Sequence, residues 1–108
     1  RALRRALARR VPLVGPAAGG AGILALVDPE EGRDHARAAL AQLDGHPALL
    51  ETLRMWLSLH GSWDRTAAAL EIHRNTVRQR IARTASLLER DLDDPGVRME
   101  LWFALEWR

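Results

Sequence analysis

Between His73 and Arg83 the chain reads His-Arg-Asn-Thr-Val-Arg-Gln-Arg-Ile-Ala-Arg, without an acidic residue. These side chains hydrogen-bond phosphates and base edges: Arg pairs bidentately with guanine O6 and N7, and Asn or Gln with adenine N6 and N7. On a helix turning about 100° per residue, Val77, Ile81, Thr84 and Leu88 fall in one narrow sector. Asn75, Gln79, Ala82 and Ser86 lie opposite, flanked by Arg78 on one edge and by Thr76, Arg80 and Arg83 on the other. Unpaired backbone N–H groups near Arg74–Thr76 add a phosphate site at the helix start. His73, at that start, is read as a helix cap in preference to a phosphate ligand. The chemistry expected of this stretch is recognition of double-stranded DNA. The competing reading is a solvated arginine face in a chain that uses Arg in place of Lys.

Such a helix reads DNA only if a second helix holds it. The stretch Asp64 to Ile81 (DRTAAALEIHRNTVRQRI) supplies one. Two short helices joined by a three- or four-residue turn cross steeply, with a small residue at the contact and apolar residues beside it. Ala67 and Leu70 meet that need from the first helix, Ile72 from the turn, and Val77 and Ile81 from the second. This is the packing logic of a helix-turn-helix with its recognition helix at about 74–83. Asp64 is expected to cap the first helix, Arg65–Leu70. Glu71 stands where many such turns have Gly. A left-handed backbone there costs about 1 kcal/mol or more, so the turn takes another geometry or tolerates the strain.

The remaining elements also read as helices. Asp28-Pro29-Glu30-Glu31 and Asp94-Pro95 each offer a capping carboxylate before a proline at the first helical position. The helix from Asp28 runs through Ala36, Leu40 and Leu43 and ends near Gly45. Pro47 opens a helix that places Leu49, Leu53, Trp56 and Leu57 on one face and stops at Gly61. A fourth helix runs from about Arg74 to Glu89, and the helix from Asp94-Pro95 continues to Trp107. The expected fold is an all-α bundle of about five helices with a poorly defined N-terminal segment. Eighteen Ala and eighteen Leu in 108 residues support it, and a chain this long buries a core without disulfides. Residues 28–108 form the expected helix-turn-helix domain. Residues 1–27 comprise a basic helix, Arg1–Arg10, and a Pro/Gly-rich linker, or a remnant of an upstream domain. Ile23–Val27 in that region reads as a short strand. The initial Arg suggests a piece of a longer protein.

Charge follows position more than total. The chain has 16 basic residues, all Arg, against 14 acidic ones. With no Lys to titrate, even a net +2 carries the isoelectric point to about 10.8. Residues 61–90 carry six arginines against Asp64, Glu71 and Glu89, whereas 11–60 and 91–108 are net acidic. A local basic block is what contact with a polyanion requires.

The run His73 to Ile81, with Thr66-Ala67, Leu49-Leu50-Glu51-Thr52-Leu53 and Leu92-Asp93-Asp94-Pro95, resembles the C-terminal helix-turn-helix domain of PucR/CdaR-type bacterial transcription regulators, itself similar to the DNA-binding end of Fis. The resemblance covers about residues 28–108. It implies a cytoplasmic regulator whose sensory region lies upstream. It also implies DNA contacts from Arg74, Asn75, Thr76, Arg78 and Gln79, with Arg80 or Arg83 holding the backbone.

The last helix carries apolar residues on two sides. Val97, Leu101, Ala104 and Leu105 make one stripe; Met99, Trp102, Phe103 and Trp107 lie off it. The second set either joins a homodimer or higher homo-oligomer contact or packs on the first helix or an upstream domain. A two-fold dimer would read a palindromic operator with half-sites about 34 Å apart. Trp63 reads as a staple over the helix crossing. The four His lack metal-ligand spacing, there is no Cys, and no nucleophile–base pair or glycine-rich phosphate loop stands out. No enzymatic activity, cofactor, metal or membrane segment is expected. The alternative function is a helical protein-interaction domain built on the aromatic C-terminal helix.

Overall fold

The computed structural model describes residues 18–108. Arg1–Arg10, read as a basic helix, lies outside them. A 3-10 segment, Ala18–Leu26, precedes five α-helices: α1 (Pro29–Leu40), α2 (Pro47–Ser58), α3 (Trp63–Leu70), α4 (Arg74–Leu88) and α5 (Pro95–Trp107). No strand occurs among the described residues. Ile23 to Leu26, expected as part of a strand, belongs to the 3-10 segment, with Ile23 70% exposed. A lone strand has no ladder to satisfy its backbone, so a locally bonded turn replaces it.

Side chains close most helix starts. The Asp28 carboxylate accepts from Glu31 N–H at 3.2 Å, and Asp94 accepts from Gly96 N–H at 2.7 Å. At α3 the cap is Ser62, which accepts from Arg65 N–H at 3.1 Å. The expectation of Asp64 as cap is thereby corrected. The helix begins at Trp63, and Asp64 falls in its first turn, where a negative charge suits the helix dipole. After α1 the chain tightens into a 3-10 turn, Ala41–Leu43, before Gly45 turns it at φ 83°.

α1 lies along α5, and α2 packs on α4, with α3 bridging α2 and α4. Leu43, Leu53, Trp56, Val77, Leu101 and Ala104 are all within 1% of full burial and form the centre of the core. The α1–α5 approach is close. A Cβ added to Gly32 would stand 2.6 Å from Trp107 Cδ2, so this contact admits only glycine without rearrangement.

The α3–α4 turn settles the question at Glu71. Its backbone is left-handed, φ 56° and ψ 46°. The strain is tolerated because two backbone bonds close the end of α3: Glu71 N–H donates to Ala68 O at 3.3 Å, and Ile72 N–H donates to Ala67 O at 3.0 Å. Ile72 packs against the core beneath them. Glu89 ends α4 in the same conformation, at φ 53°.

Candidate nucleic-acid interface

α4 is anchored by one face. Val77, Ile81 and Thr84 are buried, while Ala67, 8% exposed, is the small residue contributed by α3. The opposite face follows from the same periodicity. Asn75, Arg78, Gln79, Ala82 and Arg83 are all exposed along it. Leu88, placed in the buried sector by its angle, is only half-buried because it lies in the last turn.

The expected site residues separate by what they touch. His73 Nδ1 accepts from Asn75 N–H at 3.0 Å, which makes it the α4 cap. Arg74 is exposed, and its Nε stands 3.4 Å from Asp64 Oδ1 on α3. No acid neighbours Arg74 along α4, yet folding brings one to it. Thr76 is half-buried beside the cap. The Arg78 guanidinium lies 5.9 Å from the centroid of Trp63. Arg80 turns inward: its Nη1 donates to Thr52 Oγ1 at 3.2 Å, and Thr52 is fully buried. Arg83 is exposed and makes no ion pair or side-chain hydrogen bond to a described residue.

Three contributors escape a reading of α4 alone. Arg65, in the first turn of α3, is exposed. Trp63 stacks on Trp56 with centroids 5.7 Å apart and planes at 30°. Thr52 donates to Ala48 O at 2.8 Å and still accepts from Arg80. A hydroxyl placed among Leu49, Leu53 and Trp56 on an apolar face signals a need for a partner, although not which partner.

The second apolar set on α5 also divides. Trp107 is half-buried against Gly32, and Phe103 meets His35 edge-on at 6.0 Å, so both face α1. Met99 is 69% exposed and Trp102 36% exposed, the latter with the Arg54 guanidinium 5.3 Å from its ring. Among the described residues no three His, Asp or Glu side chains gather as a metal site, and no helix is long and apolar enough to cross a membrane.

A protein from Thermomonospora curvata, described as an uncharacterized protein in the pkwA 5' region, is 51% identical over 84 residues, covering 74% of this chain and 47% of its own length. The purine catabolism regulatory protein of Bacillus subtilis is 41% identical over 58 residues, 54% of this chain and 11% of its own. The chain thus spans less than half the length of either relative. No solved structure matches. The profile of the PucR C-terminal helix-turn-helix domain matches residues 49–107, which run from within α2 to the end of α5 and include both helices of the motif. By that match over more than half its length, the chain belongs to the PucR C-terminal helix-turn-helix domain family.

Proposed function

We propose that residues 28–108 are the sequence-specific DNA-binding output domain of a bacterial transcription regulator, with α4 as recognition helix in the major groove. The carrying observation is that α4 buries Val77, Ile81 and Thr84 while presenting Asn75, Arg78, Gln79 and Arg83 on one exposed face. Asn75, Arg78 and Gln79 read base edges and Arg83 holds the backbone. Arg74, freed from Asp64, meets a phosphate at the N-terminus of α4, where His73 and Thr76 shape the first turn. Arg80 fixes α4 to α2 through Thr52.

The family match and the likeness to a regulator of purine catabolism support a regulatory role, with effector sensing in another part of the protein. Two copies act together, with Met99 and Trp102 as the exposed share of the contact and Phe103 and Trp107 of the same helix backing it against α1. The domain acts in the cytoplasm, as a binder without catalytic chemistry.

The test is gel retardation of fragments from upstream of the chain's own gene, against excess random duplex. The expected result is a retained complex whose affinity falls steeply with salt, about −0.9 in log–log slope per phosphate neutralised. Its footprint should cover two half-sites about 34 Å apart. No preference over random duplex would overturn the sequence-specific reading, and no retained complex at all would favour a protein-interaction domain on α5. A footprint of one half-site would remove the dimer.

A further inference from the structure

Four side chains from four helices follow one another in a run of ring and cation–ring contacts. The Arg98 guanidinium of α5 stands 4.5 Å from the Trp56 ring centroid. Trp56 of α2, 1% exposed, stacks on Trp63 of α3 with centroids 5.7 Å apart and planes at 30°. Trp63, half-buried, lies in turn 5.9 Å from the guanidinium of Arg78, the exposed arginine of α4.

The far end of the run is clamped. Arg98 Nε donates to Leu92 O at 2.6 Å, and its Nη2 stands 3.6 Å from Asp93 Oδ1. Gly61 leaves the guanidinium room that a Cβ would take, at 2.9 Å from Nη1. Trp56 thus contacts both a bonded cation and Trp63. Trp63 itself is half-buried and packs against the core.

From this we infer that Trp63 is a positioning residue for DNA reading: its indole face holds the Arg78 guanidinium in place before DNA arrives. The inference rests on the assignment of Arg78 as a base-reading residue. A free arginine side chain is among the most costly to order. A planar guanidinium lying against an aromatic face keeps its donor edge available while losing part of that freedom in advance. Trp63 then raises affinity without touching DNA, and it acts only through Arg78.

The experiment is a double-mutant cycle on the full 108-residue chain. Binding is measured by fluorescence anisotropy on the duplex that wild type selects from a random pool, and folding of each variant is checked by circular dichroism. Trp63→Leu is expected to weaken binding about two- to fivefold when Arg78 is present. It should have no effect in the Arg78→Ala background. Trp63→Phe, which keeps an aromatic face, should retain most of the affinity. Equal losses from Trp63→Leu in both backgrounds, or no loss in either, would overturn the inference while leaving Arg78 as a reading residue. If Arg78→Ala alone leaves affinity unchanged, the reading role of Arg78 fails, and the inference with it.

Discussion

Combining Arg78→Glu with Gln79→Ala is expected to weaken binding to the selected duplex about 10²- to 10³-fold, since each good bidentate base contact is worth about 1–3 kcal/mol. The carboxylate at 78 adds repulsion from phosphates that arginine would have attracted. Both side chains are exposed, so their loss leaves no cavity in the core. Stability should change by less than about 1 kcal/mol, the usual range for surface positions plus the lost contact with Trp63. Anisotropy titration and a thermal melt on the same sample separate the two effects. Unchanged affinity with folding retained would mean that α4 does not read DNA. The exposed apolar side chains Met99 and Trp102 would then become the leading functional surface.

Trp56→Ala is expected to have the largest effect on folding. The ring is nearly fully buried, stacks on Trp63 and lies under Arg98, so it joins α2, α3 and α5. Truncating a buried Trp removes about 3–5 kcal/mol, against a total stability of about 5–10 kcal/mol for a domain of this size. With each kcal/mol worth about 4–8 °C in a small domain, the melting midpoint should fall by at least about 12 °C. Trp102→Ala, at the exposed face of α5, should move it by only a few degrees. Circular dichroism at 222 nm provides the comparison. A Trp56→Ala midpoint within about 5 °C of the parent would contradict the central place of this ring in the core.

The helices were legible because local signals agreed. Asp28-Pro29, Asp94-Pro95, Gly45 and Gly61 punctuate the chain, and Val77, Ile81 and Thr84 keep the helical period between them. The outward face of α4 followed from that period. What escaped was decided elsewhere. Ser62 and Asp64 are both good caps, and only the backbone geometry at Trp63 chose between them. Ile23 to Leu26 is apolar without a period, and whether it pairs or turns depends on a neighbouring strand that the described residues do not supply. Glu71 defied a sound conformational preference because the closing bonds of α3 and the burial of Ile72 outweigh about 1 kcal/mol of strain.

Partners of the arginines were the least legible feature. Arg74 and Arg80 look alike in sequence, yet one meets Asp64 across the turn and the other Thr52 on α2, 28 residues away. No local rule reports such a contact. The same holds for α5, where Gly32 on α1 determines that Trp107 packs inward while Trp102 remains at the surface.

If α4 reads base edges in the major groove, as proposed, it meets purine N7 atoms, acceptors found in that groove alone. The most direct measurement is binding to the selected duplex with each purine replaced, one position at a time, by its 7-deaza analogue. Substitutions at two or three adjacent purines in each half-site should weaken binding about tenfold or more, with the remainder neutral. A duplex bound equally well with every purine substituted would contradict major-groove reading by α4.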